Sequence, residues 1–166
     1  KQLEKKLVVE ERLVQFSQPV WSSSDTSFAF VSKSASTAEA SICFVIPYFG
    51  CWPFWMPFFL QSCRRNPDID WLLFSDCGVP ADLPVNVRIE SISYSEYCAL
   101  VAKRLNILFA PADAYKLCDI KPALGFIHEE YLAKYDFWAF GDIDLVYGRL
   151  REYFTAARLA RFDLFS

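Results

Sequence analysis

Three apolar runs constrain this chain more than anything else in it: Ile42-Cys43-Phe44-Val45-Ile46, Trp71-Leu72-Leu73-Phe74 and Phe137-Trp138-Ala139-Phe140. Each is short for a buried helix and lacks the polar alternation of a strand with one wet face. Each therefore reads as a strand covered on both sides. The stretches between and after them have helical character. Pro53 to Cys63 reads as a Pro-started helix. Ser93-Tyr94-Ser95-Glu96 carries a capping box and opens a helix running to about Leu105. A further helix is expected from roughly Lys116 to Lys134, bent or restarted near Pro122. Val85 to Ile89 alternates and predicts a strand nearer an edge. Arg149 to Arg158 reads as a last helix, and Phe162-Asp163-Leu164-Phe165 as a final strand. Strands alternating with helices predict an α/β layer fold with a mainly parallel, Rossmann-like sheet.

The length of 166 residues suits one domain with a sizeable core, and 54% of the residues are hydrophobic. Residues 1–16 mix charge with apolar residues at partly helical spacing and predict an amphipathic helix. Residues 17–41 are Ser-rich and read as a linker, leaving 42–166 as the folded part. The chain opens on Lys1 and stops within the final strand, so the sheet is expected to be incomplete at its C-terminal end. The net charge of −3 offers no electrostatic footprint for nucleic acid. Of the six cysteines, which form no C-x-x-C pair and stand beside a single histidine, most lie in apolar segments and read as small hydrophobes rather than a zinc site or disulfide framework. That usage predicts a reducing, cytoplasmic location. Ile42 to Leu60 is long and apolar enough to span a membrane, but Pro47, Gly50, Pro53 and Pro57 interrupt it. A strand, a loop and a short helix are expected there instead, with peripheral membrane association left open.

Asp142-Ile143-Asp144 follows the run Phe137–Phe140 directly. Residues i and i+2 of an extended chain point the same way with Cα atoms about 6.5 Å apart. Two acids on one side at a strand exit suit a hard divalent cation, Mg²⁺ or Mn²⁺, which in turn holds a diphosphate. The blander reading is an acidic pair that caps the next helix. In parallel sheets ligands sit beyond the carboxyl ends of the strands. Pro47-Tyr48-Phe49-Gly50, Ser75-Asp76 and Asp142/Asp144 all follow strands, and parallel order brings them to one edge.

Several segments occur in order: Pro47-Tyr48-Phe49-Gly50, Trp52-Pro53-Phe54-Trp55, Asn66-Pro67-x-Ile69-Asp70-Trp71, Ser75-Asp76-Cys77, Tyr115 to Ala123, and Tyr135-Asp136-Phe137-Trp138 through Gly148. Together they resemble a largely uncharacterised family of glycosyltransferases with the GT-A fold, found often among bacterial polysaccharide-synthesis proteins. The likeness covers about Ile42 to Ser166 and implies the N-terminal part of a longer GT-A domain. It implies a nucleotide-sugar donor held through a divalent cation, and a glycan or other hydroxyl acceptor. Carried onto this chain, Asp144 becomes the main metal ligand. Asp142 meets the donor ribose, or the metal through water. Pro47, Tyr48 and Phe49 border the nucleoside, with Tyr48 or Phe49 stacking on the base or simply packing in the core. Asp119 and Lys121 meet the donor sugar and phosphate, or form a surface ion pair. Asp76 touches the nucleoside or makes an Asx turn. No catalytic base stands out.

Two rivals remain at this stage. Asp142-x-Asp144 also fits the aspartyl nucleophile of haloacid-dehalogenase-like phosphohydrolases, although that strand normally opens their fold. A non-catalytic nucleotide-sugar-binding module is the other. His128 is expected on an exposed helix face, without the second histidine of a zinc motif. Arg149 and Arg151 are expected at a solvated helix start.

Overall fold

The computed structural model describes residues 39–162, together with the backbone of two short strands at residues 13–15 and 164–165. Its strands are β1 (Leu13–Gln15), β2 (Ile42–Pro47), β3 (Ile69–Ser75), β4 (Val87–Ser91), β5 (Phe137–Phe140) and β6 (Leu164–Phe165). The sheet order is β4-β3-β2-β5-β1-β6. The four strands from β4 to β5 are all parallel, which makes a Rossmann-like α/β arrangement. β1 lies antiparallel on the open edge of β5, and β6 antiparallel on β1.

The period-2 alternation of the strands splits the core into two layers. Ile42, Phe44 and Ile46 of β2, Ile69, Trp71 and Leu73 of β3, and Phe137 and Ala139 of β5 face one side. There they meet Met56, Phe59, Leu60 and Cys63 of helix α1 (Met56–Arg64). Cys43, Val45, Leu72, Phe74, Trp138 and Phe140 face the other side. They meet Tyr97 and Val101 of helix α2 (Tyr94–Leu105), and Leu117 and Ile120 of a 3₁₀ segment at Ala114–Ala123. Helices on both faces explain why the strands read as unbroken apolar runs. The apolar stretch Ile42 to Leu60 is a strand, a loop and a helix. Among the described residues no helix is long and apolar enough to cross a membrane.

Several boundaries differ from expectation. Of the helix expected over residues 1–16, positions 13–15 form β1, where backbone pairing with the edge of β5 outweighs local helical spacing. The rest of 1–16, and most of the expected linker at 17–41, lies outside the described residues. At its end Ser41 bonds Asp136 Oδ2 through both its amide (3.0 Å) and its hydroxyl (2.9 Å). The helix expected from Lys116 to Lys134 is three pieces: the 3₁₀ segment, α3 (Leu124–Ile127) and α4 (Glu129–Leu132). Pro122 lacks the amide needed to continue an α-helical ladder, so the chain keeps i→i+3 bonds up to that point. The helix expected over Arg149–Arg158 divides into α5 (Leu150–Tyr153) and α6 (Ala156–Leu159), the latter restarted by Thr155 as its cap.

The break near Pro122 brings α3 onto the sheet at Gly125. A Cβ there would lie 2.2 Å from Cε2 of Trp138, which is buried in β5. Gly→Ala in a helix ordinarily gains stability. Here the clash should win, with Gly125→Ala losing about 1–3 kcal/mol. A melting temperature equal to or above that of the parent would contradict this packing.

His128 is buried, not exposed as the sequence suggests. Its Nε2 lies 2.9 Å from the Tyr97 hydroxyl, and its ring stacks on Phe74 with centroids 4.0 Å apart. Burial, and secondarily the Arg104 charge, push its pKa down to about 3. The unfolded chain takes up this proton near pH 6.5, the folded one only near pH 3. Stability from His128 is therefore complete above pH 6.5 and drains away as the pH falls towards 3, by roughly 2 kcal/mol at pH 5. Urea unfolding at pH 7 and pH 5 should show that difference shrink by this amount in His128→Gln. An unchanged difference would refute the assignment.

Candidate functional site

Strand order determines where a cleft can form. From β2 the chain moves outward through β3 to β4, then returns to the opposite side of β2 at β5. The loops leaving β2 and β5 diverge at this switch, which is where open α/β sheets hold ligands. A cleft of about 400 Å³ sits there. Its floor is Ile46 to Phe49 at the end of β2 and Gly141 to Asp144 after β5. One wall is Trp55, ahead of α1. The other is the 3₁₀ segment.

Strand β5 ends at Phe140, and the chain stays alternately exposed and buried beyond it. Asp142 and Asp144 are exposed on either side of buried Ile143. The loop is pinned from behind by Tyr147, whose ring meets Phe44, Phe59 and Trp71. Gly141 makes room for it, since a Cβ at that position would sit 2.2 Å from the Tyr147 hydroxyl. A second brace comes from buried Asn66. Its Nδ2 donates to Gly148 O (2.8 Å) and Ser62 O (3.0 Å), and its Oδ1 accepts from Leu150 N (2.8 Å). One aromatic cluster and two hydrogen bonds from Asn66 thus fix a loop whose acids remain in water.

The 3₁₀ segment has three residues per turn, so positions three apart share a face. Leu117 and Ile120 point into the core. Lys116 and Asp119 point outward and pair at 3.3 Å, both well exposed. Tyr115, Cys118 and Lys121 line the cleft. Lys121 is largely buried there, and its ammonium donates to both oxygens of Asp142 at 2.6 Å. Asp113 caps the segment by accepting from Tyr115 N at 2.9 Å.

The cleft thus gathers Pro47, Tyr48, Phe49, Lys121, Asp142 and Asp144 and leaves out Asp76 and Asp119. Asp119 is in the surface pair because the threefold period turns it away from Lys121. Asp76 accepts the Gly50 amide at 2.8 Å and so shapes the β2 loop from outside. Phe49 borders the cleft, but its ring packs on Tyr94 and Tyr97 in the core. Tyr48 stacks on Trp52 with centroids 5.5 Å apart and donates its hydroxyl to Cys51 O. Arg149 pairs with Glu152 in solvent, and Arg151 donates to the carbonyls of Ala40 and Asp68. Neither lines the cleft. Sequence reasoning passed over Trp55, Asp113, Tyr115 and Cys118. The triplet spacing Tyr115–Cys118–Lys121 beside Leu117–Ile120 was the signal available for the last two.

The six cysteines are all free. Burial pushes the thiols of Cys43 and Cys63 up to about 12, which keeps them protonated and unreactive.

A divalent cation fits this donor set in one way. Among the described residues no cluster of three His, Cys, Asp or Glu side chains is placed to hold a metal by itself. Two exposed carboxylates match the other mode, in which Mg²⁺ takes one or two protein oxygens and completes its shell with substrate phosphates and water.

The fold and cleft define an α/β protein with a strand-end site built from an acidic pair and a paired lysine. Residues 44–166 match the model of a family of unknown function, DUF6625, and the chain belongs to that family. No curated protein and no solved structure matches it.

Proposed function

We propose that the protein is a metal-dependent glycosyltransferase of GT-A type. It would move a sugar from a nucleotide-sugar donor to a glycan or other hydroxyl acceptor. The observation that carries this reading is the exposed pair Asp142/Asp144 at the sheet's switch point, with Lys121 held against Asp142. Asp144 is the acid without that lysine and is the better ligand for Mn²⁺ or Mg²⁺. Lys121 offsets one of the two negative charges and offers a point charge to a phosphate. The cation, when bound, stabilises the charge on the departing nucleoside diphosphate. The surrounding residues bind and orient the donor; the cleft offers no clear base for the acceptor hydroxyl.

UDP or GDP is expected to raise the melting temperature with Mn²⁺ or Mg²⁺ present and to do so much less in EDTA. Equal shifts under both conditions would remove the metal from the account. The phosphohydrolase alternative requires phosphate on Asp142, and trapping a phosphoenzyme there would replace the transferase reading.

A further inference from the structure

Trp55 and Tyr115 are the aromatic side chains that the cleft presents most openly. Trp55 is 37% exposed and Tyr115 is 78% exposed. They approach from opposite layers of the sheet. Trp55 precedes α1 on one face, and Tyr115 belongs to the 3₁₀ segment that packs on the other. Phe54 lies edge-on to Trp55, with centroids 5.0 Å apart. Tyr115 is the second residue of its segment, in the first turn that Asp113 caps. The acid pair lines the same cleft as these two rings.

The polar groups beside these rings select the ligand. Carboxylates of Asp113, Asp142 and Asp144 accept hydrogen bonds, and Lys121 is already engaged. Among the described residues that line the cleft there is no Asn, Gln, Ser, Thr or Arg. The charged side chains that remain open beside these rings are carboxylate acceptors. A sugar ring presents the opposite match: hydroxyls that donate to carboxylates around its rim, and an apolar C–H face that lies on an aromatic ring.

We propose that Trp55 and Tyr115 form a two-walled seat for a pyranose ring at the mouth of the cleft. This rests on the transferase reading for its purpose, though not for its chemistry. The ring belongs either to the acceptor or to the donor's sugar, and both present the same face.

Saturation-transfer NMR with methyl glucoside, methyl galactoside and methyl N-acetylglucosaminide, in the presence of UDP and Mn²⁺, tests the seat. Titration of UDP and UDP-glucose provides the donor arm. The seat predicts transfer to ring protons of at least one glycoside, or tighter binding of UDP-glucose than of UDP. Trp55→Ala and Tyr115→Ala should each weaken that sugar-dependent part roughly fivefold. Loss of glycoside transfer marks an acceptor ring, and loss of the UDP-glucose advantage marks a donor ring. Neither effect in either variant overturns the proposal. So does an equal loss of plain UDP binding, which would seat the base on these rings. Glycoside binding without any UDP binding would keep the seat and remove the transferase. UDP binding through Mn²⁺ with no dependence on either ring would do the reverse.

Discussion

Asp144→Asn is expected to abolish metal-dependent nucleotide binding while leaving the fold intact. The amide preserves size and keeps one oxygen, but it removes the charge that a hard cation requires. A charged ligand to such a cation is worth several kcal/mol, so nucleotide affinity in Mn²⁺ should fall by about a hundredfold or more. Asp144 is solvent-exposed, and stability should move by no more than about 0.5 kcal/mol. The neighbouring pair sharpens the test. In Lys121→Met the two acids lose their counter-ion. Free Mn²⁺ should then bind more tightly, whereas a nucleoside diphosphate, which gains from the lysine, should bind less tightly. Calorimetric titration of Mn²⁺ and of UDP with both variants separates these effects. Normal donor and metal binding by Asp144→Asn would refute the assignment, and changes of the same sign for both ligands in Lys121→Met would assign that lysine a different part.

Asn66→Ala should produce the largest loss of stability. The side chain is 5% exposed and its three bonds reach α1, Gly148 and Leu150. Truncation strands two carbonyls and one amide near the interior, at a cost of about 2–4 kcal/mol by comparison with other buried polar groups. The same change loosens the segment that follows the acids, so metal-dependent nucleotide binding should weaken although Asn66 does not line the cleft. Asn66→Asp keeps the acceptor for Leu150 N but turns a carboxylate towards two carbonyls, and should also destabilise. Arg149→Ala, next to the same segment but exposed and, among the described residues, paired with Glu152, serves as the comparison and should change stability little. Equal unfolding midpoints for Asn66→Ala and Arg149→Ala would contradict the brace.

The strands β2, β3 and β5 were legible because burial on both faces leaves little freedom in composition, and their central positions are apolar. The capping box of α2 was legible for a local reason. Ser93 Oγ accepts from Glu96 N, and the Glu96 carboxylate returns to the Ser93 amide. The acid pair could be placed because it follows a buried strand by a fixed number of residues. What failed depended on contacts distant in sequence. His128 sits beside two glutamates and reads as a surface residue, yet Phe74 and Tyr97 enclose it from other elements. Residues 13–15 join a sheet edge made more than a hundred positions later. Asp119 and Lys121 looked like one functional unit on a helix. Residues two apart share no face at either 3.6 or 3 residues per turn, so Asp119 goes to solvent and Lys121 to Asp142. Phe49 and Trp55 could not be told apart as aromatic residues near a strand end. Only the packing of α2 against the β2 loop shows that the Phe49 ring is buried at the cleft's edge while Trp55 stays open to it.

The central claim is that Asp144 and a nucleoside diphosphate share one divalent cation. Crystals grown with MnCl₂ and UDP, measured at a wavelength where manganese scatters anomalously, test it most directly. One strong anomalous peak is expected in the cleft, about 2.1–2.3 Å from an Asp144 carboxylate oxygen and in contact with the diphosphate. UDP bound in the cleft with no manganese beside Asp144, or manganese held elsewhere while the cleft binds nucleotide alone, would contradict it.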